Sequence, residues 1–118
     1  MSRRARHVLK WAEATFGAVA TDPAERAMRF VEEAIEVAHA IGLEPERVRA
    51  IVDRVYSREQ GTLPREIGQA QITLETFAEN IGVNADLEAN KEFARIQAIP
   101  REEWARRHAA KVQLGIAK

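Results

Sequence analysis

The strongest constraint on this chain is a spacing. Apolar residues recur at helical intervals in every segment, between glycine and proline stops. No segment alternates apolar and polar residues over the length of a strand. The pattern is plainest after residue 21. Asp22-Pro23-Ala24-Glu25 sets an acidic N-cap, a proline at the first helical position and a glutamate at the third, the sequence form of a capping box. Ala27, Phe30, Val31, Ala34, Val37, Ala38 and Ile41 then repeat on one stripe, and Gly42 stops it.

Before this helix, Arg3 to Phe16 reads as another, stopped by Gly17. After it, Glu44-Pro45 opens a third, with Val48, Ile51, Val52, Val55 and Tyr56 on its apolar face. Ser57 to Leu63 is polar and reads as a loop. Pro64 opens a fourth helix, with Ile67, Ala70, Leu74, Phe77, Ala78 and Ile81 on one face and Gly82 at its end. Asn84 caps a fifth that runs to about Ile99-Pro100. Arg101 to about Gln113 reads as a sixth with a poor apolar face. The expected fold is all-α, a helical bundle of four to six helices. It forms a single domain over residues 1–118, with a core at about 11–97 and a helical basic tail at 100–118.

Of the 54 residues in the apolar class, 21 are alanine. Alanine favours helix but buries little, so the core is expected to be completed by self-association as a dimer or tetramer. The chain has no cysteine, which excludes disulfides, thiolate zinc sites and thiol nucleophiles. Lys+Arg and Asp+Glu both number 18, and this zero balance argues against a nucleic-acid partner. No apolar run approaches the ~20 residues that span a bilayer, and Trp11-Ala12-Glu13 follows the basic N-terminus where a secretory signal would have its apolar core. A cytoplasmic protein with no membrane contact is expected.

Two pairs of oxygen-bearing side chains stand out, Glu33/Glu36 and Glu66/Gln69, each spaced so that it lies on one side of its helix. Their phase is alike. At ~100° per residue, with Ala34 at zero on one helix and Ile67 at zero on the other, the first member of each pair falls at about −100° and the second at about −160°. If the two stripes pack antiparallel, the two flanks converge. Three glutamates and an amide oxygen would suit a hard cation such as Mg²⁺. Solvated helix faces are the plainer reading of the same residues.

The run Arg29-Phe30-Val31-Glu32-Glu33-Ala34-Ile35-Glu36 resembles the EExxE helix of the MazG-like, all-α nucleoside triphosphate pyrophosphohydrolases. Glu66-Ile67-Gly68-Gln69 stands where that family has ExxD, and Asn80-Ile81-Gly82-Val83-Asn84 is similar to its glycine turn before a lysine-bearing helix. The likeness spans roughly Trp11 to Ile96. It implies a homo-oligomeric hydrolase of nucleotide metabolism. Such an enzyme uses Mg²⁺, or Mn²⁺ in its place, to cleave a ribo- or deoxyribonucleoside triphosphate into a monophosphate and pyrophosphate. Glu33, Glu36, Glu66 and Gln69 would face the metal, and Lys91 would contact phosphate, with Arg95 a further phosphate candidate. The departure is Gln69, where the family has aspartate: a neutral amide offers one carbonyl oxygen and no base. Three outcomes stay open. Three carboxylates suffice, or Glu32 substitutes, or the chain binds nucleotide without hydrolysing it.

Trp11 and Phe16 are candidates for stacking on a nucleobase, with core packing the plainer reading. Asn90 and Lys91 share a face with Leu87 and Ala94, as the lining of a pocket or as a solvated face. His39 falls opposite the apolar stripe and reads as a surface histidine. Arg3, Arg4, Arg6 and Lys10, with the net +4 of residues 91–118, would make a basic rim attractive to anionic nucleotides, or simply solubilise the chain.

Overall fold

A computed structural model describes residues 2–118. Among them there are six α-helices and no strand: α1 (Arg3–Phe16), α2 (Pro23–Ala40), α3 (Pro45–Tyr56), α4 (Leu63–Asn80), α5 (Ala85–Gln97) and α6 (Arg101–Gln113), with a 3₁₀ segment, Gly17–Thr21, between α1 and α2. The all-α expectation holds, and the boundaries follow the chemistry of the caps. Ser2 Oγ accepts the Ala5 N–H at 3.2 Å, Asp22 Oδ2 that of Glu25 at 3.2 Å, and Asn84 Oδ1 that of Leu87 at 3.0 Å. Each satisfies a donor that a helix start otherwise leaves unpaired. At the far ends of α2 and α4, Gly42 and Gly82 take φ of 86° and 74°. That left-handed turn lets Leu43 N–H reach Ala38 O, and Val83 N–H reach Ala78 O, each at 2.9 Å.

The chain divides into two compact units. One is the chain up to Val37 together with Glu92–Lys118, and the other is Ala38–Lys91. In the first, α1 packs on the 3₁₀ segment and on α6. Aromatic rings hold this packing. Trp11 meets Phe16, Phe93 and Trp104 edge to face, with centroids 6.0, 6.4 and 5.7 Å apart. Phe16 also lies 6.2 Å from Trp104 and 5.5 Å from His108. Trp104 donates its indole N–H to Ile96 O at 3.1 Å, while Arg107 covers its ring at 5.1 Å. Such pairs add roughly 0.5–1.5 kcal/mol each beyond area burial. They anchor α6, whose own apolar face is poor. Ala12 and Ala20 are sealed from solvent.

The second unit contains α3 and α4. Its one buried residue is Ala78. The apolar stripes that the sequence lays down on these helices face solvent: Ile51, Val52, Val55 and Tyr56 on α3, and Ile67, Leu74 and Ile81 on α4. On α2, Phe30, Val31 and Ile35 are exposed as well. No helix among the described residues is long and apolar enough to cross a membrane.

Candidate functional site

The α2 helix carries the densest group of acids. One carboxylate oxygen from each of Glu32, Glu33 and Glu36 falls within 4.8 Å of the others. Helical spacing produces this: Glu33 and Glu36 are three residues apart on one side, and Glu32 is one turn before Glu36. Glu33 and Glu36 are exposed, and Glu32 is half-buried.

The three acids differ in their counter-charges. Glu32 Oε1 accepts from Arg29 Nη1 at 3.2 Å and from Lys111 Nζ of α6 at 2.7 Å. Glu33 is raised above its ordinary value. Partial desolvation is the largest cause, followed by the charge of Glu36, a hydrogen bond with that side chain, and the charge of Glu32, against which Lys111 pulls it down. Glu33 remains open to solvent at one edge, so its shift reflects crowding by like charges as well as burial. A divalent cation set among these oxygens would relieve that repulsion.

Arg95 of α5 belongs to the same unit. It is bonded to Glu92, with Nε 3.0 Å from each carboxylate oxygen. Glu92 holds the guanidinium above its usual range, and the charge of Glu33 adds to the effect. The first unit therefore brings the acidic group and Arg95 into one electrostatic neighbourhood. Trp11 and Phe16 are brought together too, but within the aromatic packing of α1 on α6, where both are half-buried.

Glu66 and Gln69 lie in the second unit, on the first turns of α4, and both are exposed. The Glu66 side chain folds back over Gly61, so close that a Cβ there would stand 2.7 Å from Glu66 Oε1. Lys91 is exposed and pairs with Glu88 at 3.4 Å on its own helix. Asn90 is exposed beside it.

The residues that the sequence did not point to are the two cations on Glu32, Arg29 and Lys111. Lys111 stands 79 positions from Glu32 in sequence. The only signal for it was the positive balance of the last helix, which names no partner.

No family model, characterised protein or solved structure matches the chain.

Proposed function

We propose that the chain is a divergent MazG-like hydrolase that uses Mg²⁺ to convert a nucleoside triphosphate into a monophosphate and pyrophosphate. The observation that carries this reading is the Glu32–Glu33–Glu36 group, with Arg95, a partner of Glu92, close enough to feel the charge of Glu33. The three carboxylates would hold a hard cation, which would neutralise phosphate charge, and the positive charge of Arg95 would add to the attraction for phosphate. The raised Glu33 supports a site made to receive positive charge. The family likeness adds Glu66 and Gln69 to the ligand set and Lys91 to the phosphate contacts. The exposed apolar stripes support self-association as a dimer or tetramer. The cytoplasm, where nucleoside triphosphates are abundant, is the compartment this reading calls for.

Gln69 favours a second reading: a protein on the same scaffold that binds nucleotide without hydrolysing it. A neutral amide at this position removes one charge from the ligand set.

A pyrophosphate-release screen across ribo- and deoxyribonucleotides, with Mg²⁺ and with Mn²⁺, separates the two. Hydrolysis is expected for wild type, lost in Glu36→Gln and faster in Gln69→Asp. Nucleotide binding without release in wild type and in Gln69→Asp selects the second reading. Absence of both metal and nucleotide binding returns the three glutamates to a solvated helix face.

A further inference from the structure

The segment after α6, Gly115–Lys118, is tied down chiefly through its main chain. The buried Glu25 accepts the Lys118 N–H on Oε2 at 2.9 Å. Arg29 Nη2 donates to Ile116 O. His108 Nε2 lies 3.0 Å from Lys118 O, and the Lys118 ammonium pairs with Asp22 at 3.0 Å.

Two of the groups that hold this segment also hold the acidic cluster. Arg29 spans Glu25 at 3.1 Å, Glu32 at 3.2 Å and the Ile116 carbonyl. Lys111 reaches Glu32 at 2.7 Å with its side chain, while its own carbonyl accepts the Ile116 N–H at 3.1 Å. Glu32 Oε1 is therefore occupied by two cationic donors whose residues also fasten the segment.

We propose that Gly115–Lys118 is a strap that regulates the acidic cluster: closed, it keeps Lys111 and Arg29 on Glu32, and a divalent cation that takes Glu32 displaces Lys111 and loosens the strap. This rests on the reading of Glu32, Glu33 and Glu36 as a metal site. The physical ground is competition. An ammonium at hydrogen-bond distance from a carboxylate and a divalent ion taken up by that same carboxylate repel one another, most strongly where both seek Oε1. With Lys111 displaced, Arg29 carries the Glu32 contact alone, and any shift of its guanidinium weakens its bond to Ile116 O. Linkage makes the effect reciprocal: if the cation loosens the strap, loosening the strap tightens the cation.

The test uses the full chain, Mg²⁺ alone as ligand, and two readouts. Calorimetry compares wild type with Lys111→Met and with the charge-preserving Lys111→Arg. Hydrogen exchange follows the amides of Ile116, Ala117 and Lys118 with and without Mg²⁺. The expected result is tighter Mg²⁺ binding in Lys111→Met by about fivefold or more, with Lys111→Arg close to wild type. Faster exchange of the three amides when Mg²⁺ is added to wild type is expected alongside. If wild type binds Mg²⁺ but Lys111→Met binds it no better, or the amides exchange at the same rate, the strap is overturned and the metal site stands. If neither wild type nor Lys111→Met binds Mg²⁺, the metal site itself falls and the strap's regulatory role falls with it.

Discussion

The Glu25 carboxylate, 1% exposed, accepts the backbone N–H of Lys118 at 2.9 Å. As the third residue of α2, Glu25 is placed to bond back to the N-cap, the reciprocal half of a capping box. It turns inward instead, with Oε1 3.1 Å from Arg29 Nε and Oε2 on Lys118. Asp22 makes its half of the box, and its own N–H goes to Val19 O.

Removing the Glu25 carboxylate should therefore cost far more than a lost cap. Glu25→Ala leaves the half-buried Arg29 without its deepest counter-charge and the Lys118 N–H without an acceptor. Breaking one side of a buried pair typically costs about 3 kcal/mol or more. Glu25→Gln should cost less, because an amide oxygen can still accept from Lys118. Urea denaturation of the three proteins checks this order. Equal midpoints for Glu25→Ala and wild type would show that the contact adds nothing.

Trp104 should be the anchor of α6. Trp104→Ala removes ring contacts with Trp11 and Phe16, the hydrogen bond to Ile96 O and the surface under Arg107. The expected loss is roughly 3–4 kcal/mol. Trp104→Phe should lose less, keeping a ring but no indole donor. The near-ultraviolet circular dichroism should collapse in the alanine variant while the other helices keep most of the far-ultraviolet signal.

These two sites show where sequence reasoning reaches and where it stops. Asp22, Asn84, Gly42 and Gly82 were readable as helix ends because caps act within a few residues of themselves. The Glu33/Glu36 pair was readable for the same reason. Glu25 looked like a cap, and its true acceptor role was hidden because Lys118 lies 93 positions away. Trp11 and Phe16 showed as aromatics near the acidic helix. Their packing against Phe93 and Trp104 depends on how α1 meets α5 and α6, which periodicity along one helix does not encode. The stripes of α3 and α4 were legible as amphipathic faces, but amphipathicity says only that a face seeks a partner.

Two acids should give opposite pH responses. Glu33 is raised in the folded chain, so the fold binds its proton more tightly than the unfolded chain does. Its unfavourable contribution is absent below about 4.5, grows as pH rises through the raised value and is constant above it. Glu33→Gln should thus stabilise the metal-free protein at pH 7, with the gain vanishing in acid. Glu103 is lowered to about 2 by its bonds to Arg106 and Arg107. Its contribution is present above the ordinary glutamate value and is lost as pH falls toward 2. Thermal melts of Glu33→Gln and Glu103→Gln across pH 2 to 7, at low salt, separate the two signs.

Gly61 gives the most local test. A Cβ on Gly61 would meet Glu66 Oε1 at 2.7 Å, with Cδ and Cγ at 3.1 and 3.2 Å. What it meets is a flexible side chain on an exposed residue, so the carboxylate can swing into solvent. Gly61 lies outside the positive-φ glycines, so alanine brings no backbone strain there. Relief of unfolded-state entropy then decides the sign, and Gly61→Ala should stabilise the chain by about 0.5 kcal/mol. The same substitution should move the Glu66 carboxylate, visible as a shift of its side-chain resonances. If Glu66 serves as a metal ligand in the position it now holds, Mg²⁺ binding should weaken while stability rises. Higher stability with unchanged Mg²⁺ affinity would remove Glu66 from the ligand set, and lower stability would mean that the Glu66 side chain is held over Gly61 rather than resting there.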